Sequence, residues 1–589
     1  MSLSERTTNI LAFFLLAIMF CLAFFSMQGI SATMDELAHI PAGYSYLSQK
    51  DYRINPEHPP LAKDLSALPL LFLNLNFPLN HPAWQKEVNG QWWLGSEFLY
   101  RSGNNPEQII FWARIPMIFL LLFLGWFLFY WTKKEFGNKV ALLTLFFFSF
   151  SPTFLAHGRL VTTDVPAALG FVIATSFWLK FLRNPTKKNI ILAGLVFGFA
   201  LLLKFSLILL IPFLGTITLI YAWLKIGEVR KILKYVGMAL IAGIIGIIFV
   251  IWPVYQFHVI NYPPEKQLSD TKIILESNPW KPLKGLCIYL VEKPPFRALG
   301  HFLLGLLMAT QRTTFGNTVY FLGKISGKGW WYYFPIVYLI KVPLAFHFFT
   351  LIAFSFVVVA IKNLLSRRER LKRTKEWILS HFTEFSMVTF LVIYWSTSLS
   401  ANLNIGVRHI LPIFPFTYVL VSLGIQRGWE TIRKFQRIKK IAYLFFLFLI
   451  IWYTSSSLTA FPHYLSYFNE LAGGSKNGYK FVVDSNYDWG QDLKRLAKFV
   501  KENKIEKIYV DYFGGGDPQY YLKERYIPYN PLTAKEKPKG WFAVSATLLQ
   551  GGRGTPEPGF NQPTGYYMWL NQYQIKARAG NSIFIYYIP

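Results

Sequence analysis

Charge is what this sequence is short of. Only 15% of its 589 residues are Asp, Glu, Lys or Arg, where soluble domains carry about 25%. Acids are scarcer still, 31 against 60 Lys and Arg. There are two cysteines, Cys21 inside the first apolar run and Cys287 in a later loop. That spacing excludes a disulfide framework and gives thiol chemistry no support. A P-loop is missing, so ATP hydrolysis is not indicated and no nucleotide cofactor is expected. Internal repeats and low-complexity segments are absent. The apolar run 10–30 has no small-x-small cleavage site after it and is too long for a signal peptide, so it reads as an uncleaved first span.

What fills the space is apolar. Hydrophobic residues make up 53% of the chain, 55 of them Phe, and the mean hydropathy is +0.31. Runs long enough to cross a bilayer lie near 10–30, 108–131, 140–152, 165–182, 190–203, 205–224, 235–255, 333–361, 383–400, 410–425 and 441–458. The expectation is an α-helical polytopic membrane protein of about eleven transmembrane helices. The stretch 298–309 reads as a helix lying on the membrane surface. Basic residues then set the orientation. They crowd 132–139, 183–188, 225–234, 362–377 and 426–440, which are alternate loops. Positive loops stay in the cytoplasm, so the amino terminus is expected inside. Loops 31–107, 153–164, 256–332 and 401–409, and the tail from 459, fall outside. The net charge of +29 is thereby explained without nucleic acid, and membrane lipid is the expected surrounding.

The tail differs. Alternation in 481–485, 508–513, 541–546 and 583–588 predicts strands, and 488–503 predicts an amphipathic helix. The chain thus divides into a multi-span part, 1–458, and an extracytoplasmic α/β domain, 459–589. Asp484-Ser-Asn-Tyr-Asp488 looks like the start of a calcium loop, but Trp489 stands where glycine is needed. Gly514-Gly515-Gly516 follows a strand without a dinucleotide pattern and reads as a turn.

Ionisable residues gather in one place, Ala32–Lys63. This stretch holds Asp35, Glu36, His39, Glu57 and His58, with Pro59 and Pro60 fixing the backbone. Such a concentration at a membrane edge points to chemistry or to a charged ligand. Neighbouring acids on a helix point about 100° apart, so Asp35 and Glu36 face different ways. Asp35 and His39, four apart, share a face. Glu57, with His39, is a candidate divalent-metal site, carboxylate and imidazole suiting several metals. A structural hydrogen-bond network is the competing reading. In the next outside loop Asp164 is either a helix N-terminal cap with Thr163 or a further acid of the site. Lys204 interrupts an apolar run, and a cation there needs a partner such as a lipid phosphate, unless it snorkels to the interface. Arg408 and Lys341 pose the same choice.

At these residues the sequence resembles the polyprenol-dependent GT-C glycosyltransferases. The resemblance is closest to the protein O-mannosyltransferases and the lipid A aminoarabinose transferase, grouped as glycosyltransferase family 39. It is carried by Asp35-Glu36, by Glu57-His58-Pro59-Pro60-Leu61, by Thr162-Thr163-Asp164 and by Lys204, and weakly by Arg408-His409. It implies inverting transfer from a polyprenyl-phosphate-linked sugar to a protein, lipid or glycan acceptor outside the cytoplasm, in the inner or plasma membrane. By position Asp35 corresponds to the base, with Glu36 and Asp164 beside it. Lys204, Arg408 and His58 correspond to donor-phosphate contacts. The chain departs from the family at His58, where lysine is common. A lipid-sugar transporter and a non-catalytic scaffold are the alternatives. A transporter places its ionisable groups near the midplane, whereas here they cluster at one face.

Overall fold

The computed structural model describes residues 4–365 and 370–589. Six helices are long and apolar enough to cross a membrane: Glu5–Met27, Pro106–Phe136, Asp164–Arg183, Phe205–Lys225, Val229–His258 and Gln436–Ala460. Two bent pairs, Tyr333–Lys341 with Leu344–Val359 and Leu371–Ser380 with Phe382–Ser400, raise this to eight if each is one span. The chain is a multi-pass membrane protein. Phe13, Phe14, Phe119, Trp126, Trp223, Leu240, Phe249 and Ile451 project from the spans with their rings or branches exposed, as a lipid-facing surface requires.

Among the described residues, length and composition pick out fewer spans than the eleven expected, so that count is not confirmed. The run 140–152 forms only the 12-residue helix Asn138–Ser149, about 18 Å long against a hydrocarbon layer of about 30 Å. The run 190–203 forms the 15-residue helix Lys187–Leu201, also short. The helix Ile413–Ile432 is long enough but ends in Gln426, Arg427 and Glu430. Of the basic residues used for orientation, Arg367 and Arg368 lie outside the described residues. The expected surface helix at 298–309 is longer, Arg297–Phe315. It packs so closely on the Glu57 loop that a Cβ on Gly305 would stand 2.3 Å from the Pro56 carbonyl.

The C-terminal part carries a five-stranded sheet in the order Tyr526–Pro528, Ile508–Asp511, Gly540–Ser545, Ile583–Ile588, Ala577–Ala579. The first three strands are parallel and the last two antiparallel. Leu493, Leu496 and Val500 of the helix Leu493–Glu502 pack on it with Ile508, Val510 and Ile585. Two expectations fail here. The helix starts at 493 rather than 488. The alternating run 481–485 is not a strand of this sheet; beyond one bridge from Val482 to Phe321 it turns into a short 3-10 segment. Tertiary contacts described below override its local pattern.

Candidate active site

Helix Met34–Ser48 begins directly after the first span, and its first turn separates the two acids. Glu36 turns inward and is wholly enclosed, while the Asp35 side chain keeps 19% of its surface. Arg114, from the third turn of Pro106–Phe136, donates to both Glu36 oxygens at 2.8 and 2.6 Å. The Thr33 amide and hydroxyl add 2.8 and 3.0 Å bonds, and the Val161 amide one of 3.1 Å. Burial pushes the Glu36 carboxyl up, but Arg114 and these donors outweigh it and hold it below its usual value. Glu36 is not among the residues that line the cavity; its charge is consumed in joining three segments.

Asp35 faces the other way. Its Oδ2 accepts from Arg408 Nη1 at 2.7 Å, and the same nitrogen reaches Asp164 Oδ2 at 3.3 Å. Lys204 Nζ donates to Asp164 Oδ1 at 2.5 Å. Four residues from loops 31–107, 153–164 and 401–409 and from the break before Phe205 thus form one chain of charge: Asp35, Arg408, Asp164, Lys204. Asp164 opens the span Asp164–Arg183, where a negative charge suits the helix N-terminus. The Thr163 side chain makes no capping bond. Burial raises the Asp35 carboxyl, Arg408 and then His39 lower it, Asp164 opposes, Arg312 assists, and the balance lies below its usual value.

A cavity of about 660 Å³ opens beside this chain. Its lining mixes the ionisable Asp35, Glu57, His58, Lys204, Arg312, Arg408 and His409 with the apolar Ile208, Leu209, Leu306, Phe334, Leu403 and Ile405. The cavity thus offers both charge and apolar surface. Lys204 and Arg408 already hold carboxylates, so Arg312, on Arg297–Phe315, is the cavity cation for which the described contacts include no ion pair. Sequence reasoning passed over it because an arginine on the polar end of a helix is usually solvated.

The Glu57–Pro60 loop is held rigidly by a residue that sequence reasoning also missed. Lys63, 1% exposed, donates to Tyr46 Oη, to the Asn55 carbonyl and side-chain oxygen and to the His58 carbonyl, at 2.7–2.9 Å. Tyr52 Oη donates to that same carbonyl at 2.5 Å. Glu57 accepts from Gln91 Nε2 at 2.6 Å and Asn89 Nδ2 at 3.2 Å. His39 uses Nδ1 on the Val161 carbonyl at 2.9 Å. Glu57 and His39 both belong to a hydrogen-bond network, and among the described residues no three His, Cys, Asp or Glu side chains converge to hold a metal. Burial, His39 and Lys63 push the His58 imidazole well below its usual value. His58 is thus neutral, able to give a hydrogen bond to an anion but not charge. Lys341 is also structural: its Nζ donates to the carbonyls of Leu465 at 2.9 Å and Asn486 at 2.7 Å.

Residues 102–252 match the family described as dolichyl-phosphate-mannose-protein mannosyltransferase. This stretch is mannosyltransferase-like. It contains Arg114, Asp164 and Lys204 and stops short of Asp35, Glu57, His58 and Arg408, so it bears out the resemblance over part of the site. No curated protein matches the chain. Among solved structures, the chain is similar to an oligosaccharyltransferase of Archaeoglobus fulgidus, at 12% identity and TM-score 0.46, over 90% of this chain. It spans 65% of that protein's length. A second structure of the archaeal enzyme, with an inhibitory peptide and a dolichol-phosphate, gives 10% identity, TM-score 0.45 and coverage of 97% and 74%. ArnT of Cupriavidus metallidurans bound to undecaprenyl phosphate gives 10% identity, TM-score 0.27 and 97% coverage of both chains.

Proposed function

We propose that this protein is an integral-membrane glycosyltransferase. It takes a sugar from a polyprenyl-phosphate donor and passes it, with inversion, to a protein, lipid or glycan acceptor at the non-cytoplasmic face. The observation that carries this reading is a cavity lined by Asp35 and three cations together with many apolar side chains. The apolar lining suits a polyprenyl chain arriving from the bilayer. The charged groups suit its phosphate and sugar.

In this reading Asp35 takes the acceptor's proton as the acceptor oxygen or nitrogen bonds to the anomeric carbon. The bond from that carbon to the phosphate oxygen breaks on the opposite side. The charge left on the phosphate is met by Arg312, with Lys204 and Arg408, and by a hydrogen bond from His58. Asp164 keeps Lys204 and Arg408 apart and in place. Basic loops place the amino terminus in the cytoplasm and put the cavity and the tail on the far side.

The test is sugar transfer by the purified protein from a panel of labelled polyprenyl-phosphate sugars. Asp35→Asn is expected to lower turnover by at least about 100-fold, the worth of a general base. Asp164→Asn is expected to lower it with a loss of thermal stability. A scaffold would be indifferent to Asp35→Asn, and a transporter would move the lipid across a vesicle without consuming it; either result ends the proposal.

A further inference from the structure

The segment 484–492 of the C-terminal part reaches into the candidate active site and touches Arg408 of its central ion pair and the residues that lead into Asp35. On one side it holds the loop that carries Arg408. The Ser485 hydroxyl accepts from Arg408 Nε at 3.1 Å and donates to the Ile405 carbonyl at 2.5 Å. The Arg408 guanidinium carbon lies 4.3 Å from the centre of the Trp489 ring. Asn486 Oδ1 accepts from the Val407 amide at 2.9 Å. A Cβ on Gly406 would stand 2.4 Å from the Ser485 hydroxyl, so the two segments meet without slack.

On the other side the same segment holds the start of the helix that carries Asp35. The Trp489 carbonyl accepts from the Met34 amide at 3.0 Å, and the Gln491 carbonyl from the Ser31 amide at 3.1 Å. The Gly490 carbonyl accepts from the Ser31 hydroxyl at 2.7 Å. The three-glycine run is part of this grip rather than a plain turn: a Cβ on Gly515 would stand 2.2 Å from the Thr33 carbonyl. Ser485, Asn486 and Trp489 are at most 1% exposed. Thr547 donates its amide to Asp488 Oδ2 at 2.8 Å and its hydroxyl to the Asp488 carbonyl at 3.0 Å, so the grip is backed by the helix Ala546–Gly551 that follows the strand Gly540–Ser545.

We infer that Ser485 and Trp489 are positioning residues of the active site: the C-terminal part fixes the Arg408 guanidinium against Asp35, and so makes the carboxylate available as a base. This rests on the glycosyltransferase reading for its link to catalysis, not for its link to Asp35. The groups facing Asp35 are Arg408, His39, Asp164, Arg312 and, from the tail, Asp484. Of these, Arg408 is the one that Ser485 and Trp489 touch. Loosening it weakens the strongest favourable charge on the carboxylate, so Asp35 takes up its proton at higher pH.

Two measurements on the full-length protein separate the two ideas. The first is turnover against pH. Trp489→Leu and Ser485→Ala are each expected to lower kcat by about tenfold, in keeping with a desolvated cation over an aromatic ring and with one hydrogen bond to a charged group. Their acid limb should move upward in pH, the donor KM should change less than kcat, and Trp489→Phe should recover most of the loss. The second needs no activity: the pH dependence of carbodiimide labelling at Asp35, read by peptide mass spectrometry, should shift upward in the same variants. Lys498→Ala, on the exposed face of Leu493–Glu502, serves as the unaffected control, and melting temperatures check folding. Ser485→Ala removes a single oxygen and keeps the test open if Trp489→Leu does not fold. Labelling and kcat unchanged within about twofold in a folded Ser485→Ala or Trp489→Leu protein would overturn the inference. If the unaltered protein transfers no sugar, the glycosyltransferase reading fails, and labelling alone then decides: a shift upholds the positioning role and its absence ends it.

Discussion

Two arginines, each on a carboxylate of the same helical turn, behave as opposites. Arg114 and Glu36 are sealed in, 2% and 0% exposed, and every oxygen of the carboxylate is occupied by fixed donors. Arg408 and Asp35 sit at a cavity wall, and Arg408 divides itself between two acids. A closed pair has nothing left to offer a ligand, whereas an open one keeps charge in reserve beside a space that a ligand can fill. The contrast teaches that a buried ion pair is evidence of function only when its surroundings leave it unfinished.

The comparison breaks most visibly at Arg114. Arg114→Met strands the Glu36 charge and is expected to cost about 3–5 kcal/mol, seen as a large fall in melting temperature or loss of the monodisperse peak. Adding Glu36→Gln should return much of it. Next comes the other carboxylate. Asp35→Asn should abolish most turnover while the melting temperature stays near that of the unaltered protein, so neighbouring residues give separable defects. Smaller is the effect at the cation outside the ion-pair chain. Arg312→Gln should raise the donor KM by about tenfold, the worth of one charge-assisted bond, with kcat little changed. The reverse split, kcat falling and KM constant, would remove Arg312 from the phosphate site.

The smallest effect is read by pH. Glu36 is held below its usual value, so its contribution to stability is present above about 4.3 and lost as pH falls through the lower folded value. Asp484 is the reverse case: burial, resisted by Arg408, pushes its carboxyl up to about 6. Ionising it costs the folded state, so stability declines as pH rises from about 3.9 toward 6. Melting temperatures across about pH 2–8 should show both slopes, and Asp484→Asn should shrink the second, to which Asp488 and Asp511, raised to about 7 and about 6, also contribute, while leaving the first.

Much of the site was legible because charge in an apolar sequence is conspicuous. Asp35, Asp164, Lys204 and Arg408 each stood out by cost, and the structure joins them. Arg114 carried the same signal, a lone arginine inside IIFWARIPMIF, yet a satisfied partner hid its purpose. Arg312 and Lys63 lay in ordinary polar surroundings, where a cation needs no special reason. The tail's share was illegible for another cause: alternation at 481–485 satisfies a strand template, but contacts with residues more than 70 positions away, such as Ser485 with Arg408, decide its shape. Length and composition pick out fewer spans than the apolar runs suggest where those runs are short, since buried helices in a bundle need no full membrane length.

Arg114 has one more consequence. Besides Glu36 it donates to the carbonyls of Met27 and Ile30, both at 3.4 Å, and of Ser31 at 2.9 Å, just where the first span runs out. A guanidinium stranded in hydrocarbon is unaffordable, so Pro106–Phe136 settles only at the depth and rotation that bring it to those acceptors. That single side chain acts as a depth gauge, aligning the end of one span and the start of the next helix with the shoulder of a third.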